Sequence, residues 1–376
     1  MKTIIKILLI TWFVAGLSQC KKEPESITIK DNSFLNALID LGVDLNGDGL
    51  ISPGEAAEVT FLDITDRGIS DLIGIEAFVN LDSLFCGING LTSLDLSKNA
   101  ALITLRCEEN GLRSLDFSNN TALEKLYCSS NELTSLKVSN NPALTQLYCM
   151  YNSLTGLDVS DNPVLRELFC RENSLTSLDV ANNPALHYLD CGNNLLTSLD
   201  VSKNPVLESL SCWQNSLTGL DISNNPELIW LICGGNILAS LDVSNNSALQ
   251  TLDCDWNFLT SLDVTNNPAL VWFSCEYNLL TSLDVSNKTE LAWLHCRNNI
   301  LTNLELSNSP ALKELLCSYN SLTSLDVRSC TSLELFELAY IPSLYKVCVW
   351  TMPFPPAGVS VNMSESPNVY FTMDCN

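Results

Sequence analysis

Twelve cysteines recur at a constant interval of 21 residues, at positions 86, 107, 128, 149, 170, 191, 212, 233, 254, 275, 296 and 317. Three residues after each stands an asparagine, from Asn89 to Asn320, and around the pair the chain repeats L-x-x-L-x-C-x-x-N-x-L-T-x-L-D-V-S-x-N-P-x. A short unit with apolar residues at fixed offsets cannot enlarge one globular core. Each unit leaves an apolar face that only the next unit can cover. The 376 residues therefore read as one stacked array and not as two or three packed domains.

Within a unit the side chains alternate. Leu147 and Cys149 point inward from a short parallel strand, while Tyr148 and Met150 point outward. Asn152 ends the strand, where its amide can bond backbone groups of its own and adjacent turns that burial would otherwise leave unpaired. In the second half, "LDVSDNP", Leu157 and Val159 point in, Asp158 and Ser160 point out, and the chain turns at Asn162-Pro163. This is the pattern of a leucine-rich repeat with cysteine in its third apolar position. Ile64 takes the cysteine position 22 residues before Cys86, and Leu338 takes it 21 residues after Cys317. The fold expected is a leucine-rich repeat solenoid of about 14 turns, with short parallel strands on a concave face and a small helical N-terminal cap.

Parallel in-register strands hold equivalent Cβ atoms about 4.8 Å apart, wider than the roughly 3.8 Å of a disulfide, and a linear ladder does not converge on a metal as four zinc ligands must. The cysteines read as a packing ladder of reduced thiols, small apolar groups where leucine would not fit. Cys348 and Cys375 break the period in the tail. A disulfide closing their 28-residue loop suits a terminal cap in an oxidising, exported setting. Cys330 stands where other units carry the second asparagine and reads as a free thiol.

The N-terminus looks like a targeting segment: Lys2 and Lys6 precede the apolar "ILLITWFVAGL", too short for a membrane-spanning helix. It ends in "LSQC", similar to a bacterial lipobox, which implies acylation of Cys20. The organisation expected is a lipoprotein signal peptide over 1–19, a tether over 20–30, an N-terminal cap over 31–58, repeats over 59–345 and a C-terminal cap over 346–376. The formal charge of −24 with two histidines argues against nucleic acid and anionic membrane surfaces as partners. A lipid on Cys20 would be the membrane attachment, and the chain is expected to be a monomer at the cell surface of an outer membrane.

"DLNGDGLISPGE" fits the twelve-residue EF-hand calcium loop. Asp44, Asn46 and Asp48 would give side-chain oxygens and Leu50 its carbonyl; Ser52 would hold the water-linked position and Glu55 would bind through both oxygens. Phe34, Leu35, Leu38 and Ile39 place a helix before it. Ser52 to Glu55 is also a capping box with proline at the first helical position, and the two readings are compatible. A structural calcium ion is the expected cofactor.

The outward positions carry two further columns. Aspartates at 95, 116, 158, 179, 200, 221, 242, 263, 284 and 326 are read as accepting bonds from their own following turns. Aromatics gather around the ladder cysteines: Tyr188, Trp230, Trp272 and Trp293 three before, Phe85, Tyr127, Tyr148 and Phe169 one before, and Trp213, Tyr151, Trp256, Tyr277 and Tyr319 just after. Clustered outward aromatics mark a binding face; the plainer reading is packing between adjacent turns, with Trp272 stacked on Trp293. His187 and His295 lie five turns apart and no nucleophile stands beside a base, so no enzyme is expected. Two ligand classes stay open, a protein partner and a glycan. They differ in whether polar groups sit beside the rings to meet sugar hydroxyls.

The units from Leu81 to about Leu338, with "GISDLIGIEAFVNL" before them, look like the cysteine-ladder internalins, of internalin J type, and are similar to leucine-rich-repeat lipoproteins of Bacteroidetes surfaces. That resemblance implies a curved, non-catalytic, adhesin-like scaffold displayed at the cell surface.

Overall fold

The computed structural model describes residues 26–375; the leader and Cys20 lie outside the described residues. The first element is a helix over Asn32–Asp40, capped by Asp31, whose Oδ1 accepts the amides of Ser33 at 2.7 Å and Phe34 at 3.2 Å. Phe34, Ala37 and Leu38 are its buried stripe. Ile39 is exposed, so the stripe is turned from the one the apolar residues suggest. The other Asp31 oxygen accepts both the amide and the hydroxyl of Ser70 at 2.7 Å, pinning the cap to the array.

Every turn then contributes a three-residue strand to one parallel sheet of 15 strands, from Phe61–Asp63 to Ser360–Asn362. The register is constant: Leu126, Leu147, Leu168 and Leu189 face one another across four successive strands. The middle residue of every strand but the last is buried and its neighbours point out, as a pleat requires; Val361 in the last is partly buried. The sheet has one strand more than the repeat suggests. Ser360–Asn362 pairs with Leu335–Glu337 although it carries neither the leucine nor the cysteine that marks the other turns.

The ladder cysteines follow their strands and are fully buried and free, as is Cys330. Burial pushes the thiols up, Cys149 to about 12, which favours the protonated form. On the opposite flank short sheets of two or three strands form, the last joining Ser324–Asp326, Lys346–Cys348 and Tyr370–Thr372. A Cys348–Cys375 disulfide closes this end. No helix among the described residues is long and apolar enough to cross a membrane.

Two asparagine columns satisfy the turns. The first follows the cysteines: Asn194 accepts the Leu175 amide at 2.9 Å and donates to the carbonyls of Cys170 and Cys191 at 3.1 Å. The second is wholly buried and precedes the prolines. Asn183 donates to Val159 and Asn162 carbonyls at 2.9 Å, coupling it to the preceding turn. This column ends at Lys288, whose buried Nζ donates to the Val264 carbonyl at 2.6 Å in place of the amide. Ser309 and Cys330 follow at the same position.

Candidate binding face

The outward positions of the long sheet divide into three stretches. The first is an aromatic stack. Phe85, Arg106, Tyr127, Tyr148 and Phe169 occupy equivalent places on successive strands. The Arg106 guanidinium sits between rings, 5.3 Å from Phe85 and 4.6 Å from Tyr127. Tyr127 then meets Tyr148 at 4.8 Å, and Tyr148 stacks on Phe169 at 4.6 Å. Their hydroxyls are held from below: Tyr127 donates to Gln146, and Tyr148 donates to Glu167. The rings are fixed before any ligand arrives.

The second stretch is a notch. Ser209 and Ser211 are the outward residues of one strand, and larger groups stand on both sides, Tyr188 and Asp190 on one, Trp230 and Ile232 on the other. A pocket of about 360 Å³ opens over the two serines, walled by Phe169, Tyr188 and Trp213. Tyr188 is oriented by a 3.0 Å bond from its hydroxyl to Glu208. Asp190, nine-tenths buried at the floor, faces Arg171 with 3.7 Å between Oδ2 and Nε. Burial raises the Asp190 carboxyl above its ordinary value, opposed by the Gly192 amide, Ser211 and Arg171.

The third stretch is acidic. Asp255 Oδ1 accepts the Ser274 hydroxyl and the Glu276 amide, each at 2.6 Å. Burial, and then the neighbouring Asp253 carboxylate, push Asp255 up to about 7. Arg297 bridges Glu276 at 2.6 Å and Glu337 at 3.2 Å. Trp272 and Trp293 are register partners, and the Trp272 ring meets His295 edge-on at 5.9 Å, where a stack of the two indoles was one expectation.

Along the rim, two residues past each cysteine, the backbone is left-handed whatever residue stands there. Tyr151, Trp256, Tyr277, Tyr319 and Tyr340 all have φ between 52° and 56°, a conformation that bulky side chains seldom adopt. Trp256 and Tyr277 stack at 3.7 Å, and Tyr319 and Tyr340 at 4.4 Å, with one face of the assembly left to solvent. Two residues further on, Ile237, Phe258, Leu279 and Ile300 occupy four consecutive turns and are about half exposed, Phe258 at 54%. Sequence reasoning missed this last group and Tyr340. The available signal was a column that reads Ser153, Ser174, Ser216 and Ser321 elsewhere, is apolar once at Leu195, and is apolar on every turn from 237 to 300.

In the N-terminal loop Gly47 and Gly49 take φ of 73° and 80°, the turn a calcium loop uses. Asp44 Oδ2 accepts the Gly49 amide at 2.9 Å, and Glu55 Oε1 accepts the amides of Leu45 and Asn46 at 2.9 and 3.2 Å. Ser52 and Glu55 form a complete capping box at the start of a helix over Pro53–Ala57. These bonds, the Ser52 amide first, hold the Glu55 carboxyl below its ordinary value. Among the described residues no three His, Cys, Asp or Glu side chains converge on one point. The donor set of Asp44, Asn46, Asp48, Leu50, Ser52 and Glu55 is all oxygen, which suits a calcium ion in kind, and the loop amides already draw it into a turn. The aspartate column does not converge on a point either. Each carboxylate accepts the amide two residues on, as Asp200 does from Ser202 at 2.8 Å.

A family model described as leucine-rich repeats (2 copies) matches residues 163–204. No curated protein matches the chain. Among solved structures, the functional domain of InlJ from Listeria monocytogenes, which includes a cysteine ladder, shares 33% identity over 87% of this chain and 78% of its own, with a TM-score of 0.74. YopM from Yersinia enterocolitica shares 26% identity over 84% of this chain and 73% of its own, with a TM-score of 0.56. The LRIM1/APL1C complex matches in fold at 22% identity, over 80% of this chain and 53% of that one, with a TM-score of 0.51. Proteins of this build are binding scaffolds. With the period, the buried thiols and the InlJ match in agreement, this chain belongs to the cysteine-ladder leucine-rich repeat proteins of the internalin type.

Proposed function

We propose that the protein is a non-catalytic, surface-anchored scaffold of adhesin type that binds a protein partner through the long sheet and its rim. The observation that carries this reading is the rim itself: exposed, mutually stacked aromatics held at left-handed backbone positions, beside an exposed aliphatic or aromatic residue on each of four consecutive turns. Left-handed bulky residues cost stability, of order 1 kcal/mol each or more, and such outliers concentrate at binding sites. Stacked rings immobilised before contact lose little conformational freedom on binding, which favours Trp and Tyr as anchors. Anchorage would come from a lipid on Cys20 at the outer membrane, and a calcium ion in the Asp44–Glu55 loop would lock the N-terminal cap.

The test is capture from extracted surface proteins by the full-length chain in detergent with calcium, beside a triple variant Trp230→Ala, Trp256→Ala and Trp293→Ala. Retention of a protein by the parent and its loss in the variant supports the reading. A protein retained equally by both would place the interaction elsewhere and overturn it. A glycan reading is favoured by one observation, the polar pocket beside Trp213.

A further inference from the structure

The pocket over Ser209 and Ser211 is built and not incidental. Its wall depends on Gly192: a Cβ there would lie 2.1 Å from Trp213 Nε1 and 2.3 Å from Cδ1, so the indole rests on bare backbone. Any side chain at 192 would lift the ring away. Arg171 lines the pocket, and its guanidinium reaches 5.4 Å from the Tyr151 ring on the rim. The Arg171 Nε–H is buried and has no hydrogen-bond partner among the described residues. The nearest Asp190 oxygen stands 3.7 Å away, beyond hydrogen-bond length. Below, Gly192 donates to Asp190 Oδ1 at 3.2 Å, and Ser211 stands beside the same carboxylate.

An unpaired buried donor beside a carboxylate just out of its reach specifies what fits between them. The group must accept and donate through one atom at hydrogen-bond length from both, and a hydroxyl does this across such a gap. An ammonium ligand would meet the Arg171 charge and an anionic ligand the Asp190 charge, so the pair selects a neutral group. Beside it lie the flat Trp213 indole and two serine hydroxyls. This combines an apolar plate with several small polar groups at one edge. A neutral pyranose has that complementary form, with a C–H face and a ring of hydroxyls.

We propose that this pocket is a carbohydrate subsite that takes one neutral pyranose ring, a hydroxyl bridging Arg171 and Asp190 and the C–H face lying on Trp213. It deepens the scaffold reading, on which it rests, by making the partner a glycosylated one. The ring could be the terminal sugar of such a partner or a free saccharide.

The experiment uses the full-length chain in detergent and methyl glycosides of the common hexoses, N-acetylhexosamines and 6-deoxyhexoses, read by saturation-transfer NMR and tryptophan fluorescence. At least one glycoside binds the parent. Asp190→Asn, which keeps the volume but not the charge, weakens it about tenfold or more, as loss of a charged hydrogen bond does. Gly192→Ala weakens it too, and Asp221→Asn on the far flank leaves it unchanged. No binding by any glycoside, or equal binding by Asp190→Asn and Gly192→Ala, overturns the subsite. The same samples are offered a surface-protein extract before and after enzymatic deglycosylation. Capture that vanishes on deglycosylation identifies a glycoprotein as the sugar's source, and capture unaffected by it, with no glycoside bound, leaves the scaffold standing without the subsite. Glycoside binding without any captured protein identifies free saccharide as the ligand and sets the scaffold reading aside.

Discussion

The side-chain oxygen of Asn236 accepts the backbone amide of Leu217, nineteen residues earlier, at 3.0 Å. The Asn236 side-chain Nδ2 donates to the carbonyls of Cys212 at 3.1 Å and Cys233 at 3.0 Å, so one side chain ties two turns. Asn236→Ala strands at least one buried donor and costs about 3 kcal/mol, near the upper range for a single substitution. In a stacked array the damage stays close to its origin. Hydrogen exchange is the appropriate measurement: the Leu217 amide loses protection in the variant while distant turns keep theirs.

The thirteen free cysteines among the described residues are all buried. They should be silent to a thiol reagent in the native protein and react together on unfolding, because burial keeps the thiolate scarce. The unfolded count carries a second result. One thiol beyond those thirteen identifies Cys20 as unmodified, and a count of thirteen is the outcome lipidation requires. Rapid reaction of any ladder thiol in the folded protein would contradict the packing role.

The repeat made most of this legible. A period shared by cysteine, leucine and asparagine leaves one stacking solution, and Leu157 or Val159 are buried where simple alternation puts them. What escaped depends on backbone shape or on side chains meeting across turns. The left-handed position at Tyr151 or Trp256 carries an aromatic, with glycine at the equivalent place only at Gly235, and the pocket arises where two small residues, Ser209 and Ser211, stand between larger ones. Lys288 is another case. Its buried ammonium replaces an asparagine, a role no composition rule assigns to lysine, and burial lowers its pKa. The fifteenth strand was hidden because Ser360–Asn362 keeps only the backbone pairing.

Asp255 gives a pH dependence with a definite sign. Burial first, and then Asp253, raise its carboxyl from 3.8 to about 7. The folded chain thus holds this proton more tightly than the unfolded one. Its contribution to stability is complete below the unfolded value and is lost as pH rises through about 7. Asp255→Asn keeps an oxygen for Ser274 and the Glu276 amide and removes the charge. The variant should therefore lose less melting temperature than the parent between about pH 5 and pH 8. Asp200 on the flank acts oppositely: bonds from Ser202, its backbone amide first, hold it below its ordinary value, so its support is lost only in stronger acid. Parallel curves for parent and Asp255→Asn would refute this account of the acidic stretch.

Calcium in the Asp44–Glu55 loop predicts that chelation by EDTA lowers the melting temperature of the parent. A ligand bound at about a hundred times its dissociation constant adds roughly 2.7 kcal/mol to the native state. Asp44→Ala with Glu55→Ala should abolish the EDTA shift. Glu55 also completes the capping box, so the double variant melts lower even without calcium. The informative quantity is therefore the difference made by EDTA within each protein. An unchanged parent leaves the loop with its capping role alone.

The rim separates stability from binding more cleanly than any buried position. Phe258 and Ile300 are about half exposed, and equivalent places on other turns hold Ser153, Ser174 and Ser216. Phe258→Ser with Ile300→Ser thus installs a residue the repeat already accepts there. An exposed substitution of this kind changes stability by no more than about 0.5 kcal/mol each. An anchor at the centre of an interface is worth about 2 kcal/mol or more, roughly thirtyfold in affinity. The double variant should melt with the parent and lose capture of the surface-extract partner by at least that factor. Capture at parental strength would show that these side chains, though apolar and aligned, lie outside the interface, and would shift the binding site onto the sheet between Phe169 and Trp230.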